Sequence, residues 1–157
     1  MNPPRRTSPA NPARRPGPAL RGLPCVVVYG LDDVRLALSQ GGGATLLSAP
    51  GAALFAGVGW WRALLAAGRE TCPDAEFDDV LDCADAPGRA LEALRHGQRA
   101  LVLDPACPAR PALHALALHQ GAALLDRRPA ALDLTQPGAV RRLRGWLGPA
   151  PGGGSGK

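Results

Sequence analysis

Short unbroken apolar runs alternate with stretches of helical period along the middle of this chain. Cys25-Val26-Val27-Val28-Tyr29 is mostly β-branched and bounded by Pro24 and Gly30, which marks a buried strand. Leu31 to Gln40 follows with Val34, Ala37 and Leu38 at helical spacing, and Gly41-Gly42-Gly43 stops it. The pattern then repeats. Strands are expected at Ala44–Ser48, Asp79–Cys83, Ala100–Asp104 and Ala122–Asp126. Helices are expected at Trp60–Glu70, Pro87–His96, Pro111–His119 and Pro137–Leu147. Within Trp60–Glu70 the spacing turns Trp61, Leu64, Leu65 and Gly68 inward. A half-helix, a turn and a strand ending in Asp recur 22 residues apart, at Ala90–Asp104 and Ala112–Asp126.

Continuous apolar strands joined by short helices predict an α/β protein with a parallel sheet covered on both faces. Five strands suit a three-layer α/β/α sandwich, a mostly parallel, doubly wound sheet in the flavodoxin-like order 2-1-3-4-5. The alternative is half of a (β/α)8 barrel, since units of this length also build barrels. Five units do not close one, so that reading requires an oligomer.

Composition bounds the ends. Residues 1–23 are rich in Pro and Arg with almost nothing to bury, and are expected to be disordered. The α/β domain is expected over residues 24–147. Residues 148–157, a Gly-rich run, read as a flexible tail. The net charge of +5 resides in the ends, because residues 1–24 hold five Arg and no acid. The nearly neutral body argues against nucleic-acid binding by the folded domain. The longest uncharged, mostly apolar stretch, Ala49–Trp61, is too short to span a bilayer. The absence of an apolar segment near Met1 and four unpaired-looking cysteines point to a cytoplasmic protein. The only Lys is Lys157, which excludes the P-loop, Schiff-base and kinase chemistries that need one in the folded body. Cys25, Cys72, Cys83 and Cys107 have no zinc spacing, and His96, His114 and His119 fall in the far halves of their helices. No catalytic residue is assigned.

In open α/β sheets the site lies beyond the carboxyl ends of the strands. Polar residues gather there. Asp82, Asp32, Asp33 and Asp104 would form a carboxylate cluster whose hard oxygens suit Mg²⁺. Ser48, Gly88, Arg127 and Arg128 would bind a ligand. Gly88 lets an anion approach a helix N-terminus, and the arginines supply charge. Trp60, adjacent to the inward Trp61, is a candidate partner contact.

The stretch Phe77-Asp78-Asp79-Val80-Leu81-Asp82-Cys83-Ala84-Asp85-Ala86-Pro87-Gly88 resembles the phosphoacceptor strand and loop of response-regulator receiver domains. Leu124-Leu125-Asp126-Arg127-Arg128-Pro129 is similar to their fifth strand and following turn. The resemblance covers these two stretches and the βα order. It implies that Asp82 matches the phosphorylated aspartate and that Asp32 and Asp33 stand for the acidic Mg²⁺-binding pair. The sequence departs from the family in lacking its Lys, in ending the fourth strand with Asp104 rather than Ser or Thr, and in placing Asp32-Asp33 beyond the first strand.

Three functions follow as expectations. The first is a non-catalytic ligand-binding or regulatory module with its site at the carboxyl edge, whose partner is a protein or a small anionic ligand. The second is a Mg²⁺-dependent phosphoacceptor or phosphate-processing enzyme centred on Asp82. The third is a half-barrel lyase- or isomerase-like homo-oligomer.

Overall fold

A computed structural model describes residues 19–149. Of the tails expected over residues 1–23 and 148–157, residues 1–18 and 150–157 lie outside the described residues. The elements are β1 (Cys25–Val28), α1 (Leu31–Leu38), β2 (Ala44–Ser48), α2 (Ala52–Phe55), α3 (Val58–Thr71), β3 (Phe77–Asp82), α4 (Pro87–Arg95), β4 (Ala100–Val102), α5 (Arg110–Gln120), β5 (Ala123–Leu125), β6 (Ala131–Asp133) and α6 (Ala139–Leu147). The protein is α/β, with a single parallel sheet of six strands flanked by helices.

The strand order is β5-β4-β3-β2-β1-β6, not 2-1-3-4-5. Each strand from β1 to β5 is laid beside its predecessor, because no crossover reverses direction after β2. β2 is therefore an interior strand, and all five of its residues are buried. The sixth strand, β6, is three residues long, lacks β-branched side chains and follows Pro129, so its apolar pattern was too short to read.

Winding in one direction with right-handed crossovers places successive helices on one face of the sheet. Every buried apolar helix residue belongs to one cluster, with Val26, Val28, Leu46, Leu81 and Leu101 from the strands. The other strand face holds Cys25, Val27, Leu47, Val80, Ala100 and Val102, packed with Leu20, Ala123, Leu125 and Ala131 and with no helix residue. These six buried side chains are at most 5% exposed. The α/β class and the parallel sheet flanked by helices are as expected, while the strand order differs and the buried helix side chains gather in one cluster.

A face without helices stays dry because the sheet curls. Strands β5 and β6 lie at opposite edges, five inter-strand steps apart, which in a flat sheet is about 24 Å. Residues 126–130 connect them, and six extended Cα steps reach only about 22 Å. That segment must also return from the carboxyl end of β5 to the amino end of β6. A flat sheet cannot satisfy it.

Residues 20–23, expected in the tail, are part of this structure. The Arg21 guanidinium pairs with Asp78 at 2.9 Å and Glu76 at 3.0 Å, and Thr45 Oγ1 donates to the Leu23 carbonyl. On the helix side, Trp61 is fully buried, as its spacing predicted, and its Nε1 donates to Asp79 Oδ2 at 3.0 Å. Gln98 Nε2 donates to the same oxygen at 2.6 Å. Gly68 lets α3 approach α1, since a Cβ there would lie 2.8 Å from Val34 Cγ1.

Two expected outcomes test this core. Gly68→Ala gains helix propensity of about 1 kcal/mol but overpacks a stiff Val, at a cost of about 1–3 kcal/mol. Urea unfolding should show a net loss that Val34→Ala partly relieves in the double variant. The second outcome concerns Asp79, where desolvation raises the carboxyl above its ordinary range, opposed by the Gln98 and Trp61 hydrogen bonds. The folded state therefore holds this proton to higher pH than the unfolded chain. Stability falls as pH rises from about 4 through the folded value, and the penalty persists above it. Asp79→Asn, which still offers an acceptor oxygen, should be more stable than wild type at pH 7, with the gap closing in acid. Asp79→Leu leaves the buried Trp61 N–H without a partner and Gln98 with only the Ala100 carbonyl, and should be less stable.

Candidate functional site at the carboxyl edge

The carboxyl ends of the strands form the mouth of the curled sheet, and the segment 126–130 contributes to it. Asp82 ends β3 on the concave side, in register with Val102 of β4. It is 4% exposed. Its Oδ1 accepts the Ala84 N–H at 2.8 Å, and its Oδ2 accepts Arg128 Nη1 at 2.6 Å. Arg128 Nη2 donates to the Ser48 carbonyl at 2.9 Å. Ser48 Oγ accepts the Asp82 N–H at 2.9 Å and donates to the Ala49 carbonyl. One guanidinium thus ties the ends of β2 and β3 to the connecting segment.

The loop after β3 is held in an unusual shape. Ala84, at φ +46°, is the one non-glycine residue with positive φ among the described residues. Asp82 Oδ1 fixes its N–H, and its carbonyl accepts the Asp104 N–H at 2.8 Å. The short side chain makes that left-handed backbone tolerable.

A second group lies at the same mouth, on β1 and β6. Tyr29 Oη donates to Asp133 Oδ2 at 3.0 Å, and Asp133 Oδ1 accepts the Thr135 N–H and hydroxyl. Desolvation, then the bond to Asp133, raises the Tyr29 phenol. Desolvation pushes Asp133 upward too, but the Thr135 and Tyr29 bonds and the Arg128 charge leave its carboxyl lowered. Sequence reading missed this pair. Tyr29 is the only tyrosine, and Asp133-Leu134-Thr135 has the spacing of an Asp side chain capping its own turn, a signal that could have found it.

The aspartates expected to gather around Mg²⁺ do not. Asp82 is held by Arg128. Asp33 accepts the Tyr29 N–H, Asp32 is exposed and 3.5 Å from Arg35, and Asp104 accepts the Ala106 N–H. The strand order explains this, because β2 separates β3 from β1 and so keeps Asp82 from Asp32 and Asp33. Among the described residues, no group of three or more His, Cys, Asp or Glu is placed to hold a metal ion.

Of the expected ligand-binding residues, Arg127 and Arg128 line a cavity of about 350 Å³ with Ala84, Asp85, Asp104 and Asp126. Arg127 is exposed there and has no carboxylate within ion-pair distance among the described residues. Arg110 bridges Asp126 and the Leu103 carbonyl. Ser48 is fully buried, its hydroxyl engaged by the Asp82 N–H and the Ala49 carbonyl and its own carbonyl by Arg128. Gly88, in the first turn of α4, lies outside this cavity's lining. A cavity of about 680 Å³ lies at the opposite edge around Gly41–Gly43 and Cys72. It offers less chemistry, for its charges are Asp74 and a Glu76 already paired with Arg21.

Burial disfavours the thiolate at Cys25 and Cys83. Burial, opposed by Arg128, pushes Cys25 up to about 11, and burial with the nearby Asp82 charge pushes Cys83 up to about 12. No family model, curated protein or solved structure matches the chain. No helix among the described residues is long and apolar enough to cross a membrane.

The Arg128 clamp has a measurable consequence. Arg128→Met leaves the Asp82 carboxylate buried and unpaired, which should cost about 3–5 kcal/mol in urea unfolding. Adding Asp82→Leu removes the stranded charge and should restore part of that loss.

Proposed function

We propose that this protein is a non-catalytic binding module that takes a small anionic ligand at the carboxyl mouth of its sheet. The carrying observation is the contrast between its two adjacent arginines. Arg128 is committed to Asp82 and Ser48, while Arg127 lines the same cavity beside Asp85, Asp104 and Asp126 without being in ion-pair distance of any of them. A guanidinium is suited to planar carboxylates and to phosphates. The described residues hold 13 Arg against 13 Asp and Glu, so no overall field draws an anion, and recognition rests on this local group.

The chemistry of the site also supports binding rather than turnover. Burial raises the Cys83 thiol beside Asp82, and no histidine lines this cavity. His96, for example, is engaged by Arg62 at 2.9 Å. A phosphoacceptor reading of Asp82 is less well supported, since its carboxylate would first have to leave Arg128 and the Ala84 N–H.

The test is a thermal-shift titration of the full chain with inorganic phosphate, glycerol phosphate and succinate, beside Arg127→Ala. A ligand at a hundredfold its dissociation constant stabilises the fold by about 2.7 kcal/mol. The expected result is a shift with at least one of these anions that Arg127→Ala abolishes without lowering the unliganded Tm. An equal shift in Arg127→Ala, or none with any anion, refutes the reading.

A further inference from the structure

The cavity that holds Arg127 carries charge of both signs, and part of it is compensated within the fold. Arg128 is paired with Asp82, and Asp126 is paired with Arg110. Arg127, Asp85 and Asp104 remain. All three line the cavity and are exposed, and none has an opposite charge within ion-pair distance among the described residues. Asp104 gives one oxygen to the Ala106 N–H at 2.8 Å. Asp85 stands just before α4, where a carboxylate commonly caps the helix, but the N-cap is Ala86, so Asp85 does not serve as the cap. The cavity therefore presents one cation and two carboxylates that do not reach each other.

Such a set suits a molecule that itself carries both signs. A simple anion gains Arg127 but meets Asp85 and Asp104, which repel it. A simple ammonium ion gains the carboxylates and meets Arg127. A zwitterion satisfies both, since its carboxylate or phosphate takes the guanidinium fork while its ammonium donates to Asp85 and Asp104. A short methylene linker between its charges would lie along Val102 and Pro105, which complete the lining. The volume of about 350 Å³ limits the occupant to a small molecule. We propose that the ligand of this cavity is a small zwitterion, an ω-amino phosphate or an ω-amino carboxylate. The proposal rests on the anion-binding reading above and adds to it the recognition of an ammonium group by Asp85 and Asp104.

The experiment is calorimetric titration of the full chain at neutral pH with matched pairs, phosphoethanolamine against ethyl phosphate and β-alanine against propionate. Ethylammonium serves as the cation alone. In at least one pair the zwitterion should bind at least about fivefold more tightly than its anion, and which pair does so separates phosphate from carboxylate recognition. Arg127→Ala should weaken both members of that pair. Asp85→Asn with Asp104→Asn should erase the preference by weakening the zwitterion and not the anion. Asp104→Asn keeps an oxygen for the Ala106 N–H, and Asp85→Asn alone, which touches no cap, should erase part of the preference without lowering Tm. If each anion binds as tightly as its zwitterion, or if the Asn variants keep the preference, the proposal is overturned and the anion reading stands. Ethylammonium binding as tightly as phosphoethanolamine and indifferent to Arg127→Ala overturns both. If neither member of either pair binds below about 10 mM, the proposal falls, and the anion reading falls with it only when inorganic phosphate and succinate fail as well.

Discussion

The structure depends on one short connection. Every other pair of successive strands from β1 to β5 is joined through helix, but β5 and β6 are joined by residues 126–130 alone. That segment is too short to cross a flat sheet, so the sheet must curl, and curling is what keeps Cys25, Val27, Leu47 and Val80 dry without a second helix layer. The segment also brings Arg128 to the mouth, where it meets the ends of β2 and β3. Closure and the polar site are therefore one feature. A buried ion pair adds little net stability in itself, because desolvation offsets most of the attraction, but it penalises any register that leaves Asp82 or Arg128 alone.

The βα alternation was legible because Val26-Val27-Val28, Leu46-Leu47 and Val80-Leu81 are apolar runs bounded by turn residues. Trp61, Leu64 and Leu65 face inward as their spacing required. The strand order was not legible. Local pattern specifies that a segment is a buried strand, whereas its neighbours depend on the path of each crossover, which leaves no periodic trace. The sixth strand escaped for a related reason, since three residues hold little more than one period of alternation. The site was legible in part. Polar residues do collect at the carboxyl edge, and Arg127, Arg128, Asp82 and Asp104 are there. Their grouping was not, because the distance between Asp82 and Asp32-Asp33 follows from strand order.

Charge in the described residues is balanced and spent locally. Asp82, Asp126, Asp78 and Glu92 each face an arginine, and Asp33, Asp104 and Asp133 hold backbone N–H groups in turns. Most acids thus shape loops or latch strands. This pattern makes the exceptions informative. Arg127 at the mouth, Arg95 on α4 and Arg141, Arg142 and Arg144 on α6 have no ion-pair partner among the described residues.

The two sheet edges carry that reasoning furthest. An open parallel sheet exposes a strand on each side, and an unguarded edge invites association with whatever chain is at hand. At β5 a single guanidinium occupies the Leu124 carbonyl and so removes an acceptor from the edge. At β6 the Gln136 N–H occupies the Asp133 carbonyl in the same way, and Trp146 of α6 donates to the Cys25 carbonyl at 2.8 Å.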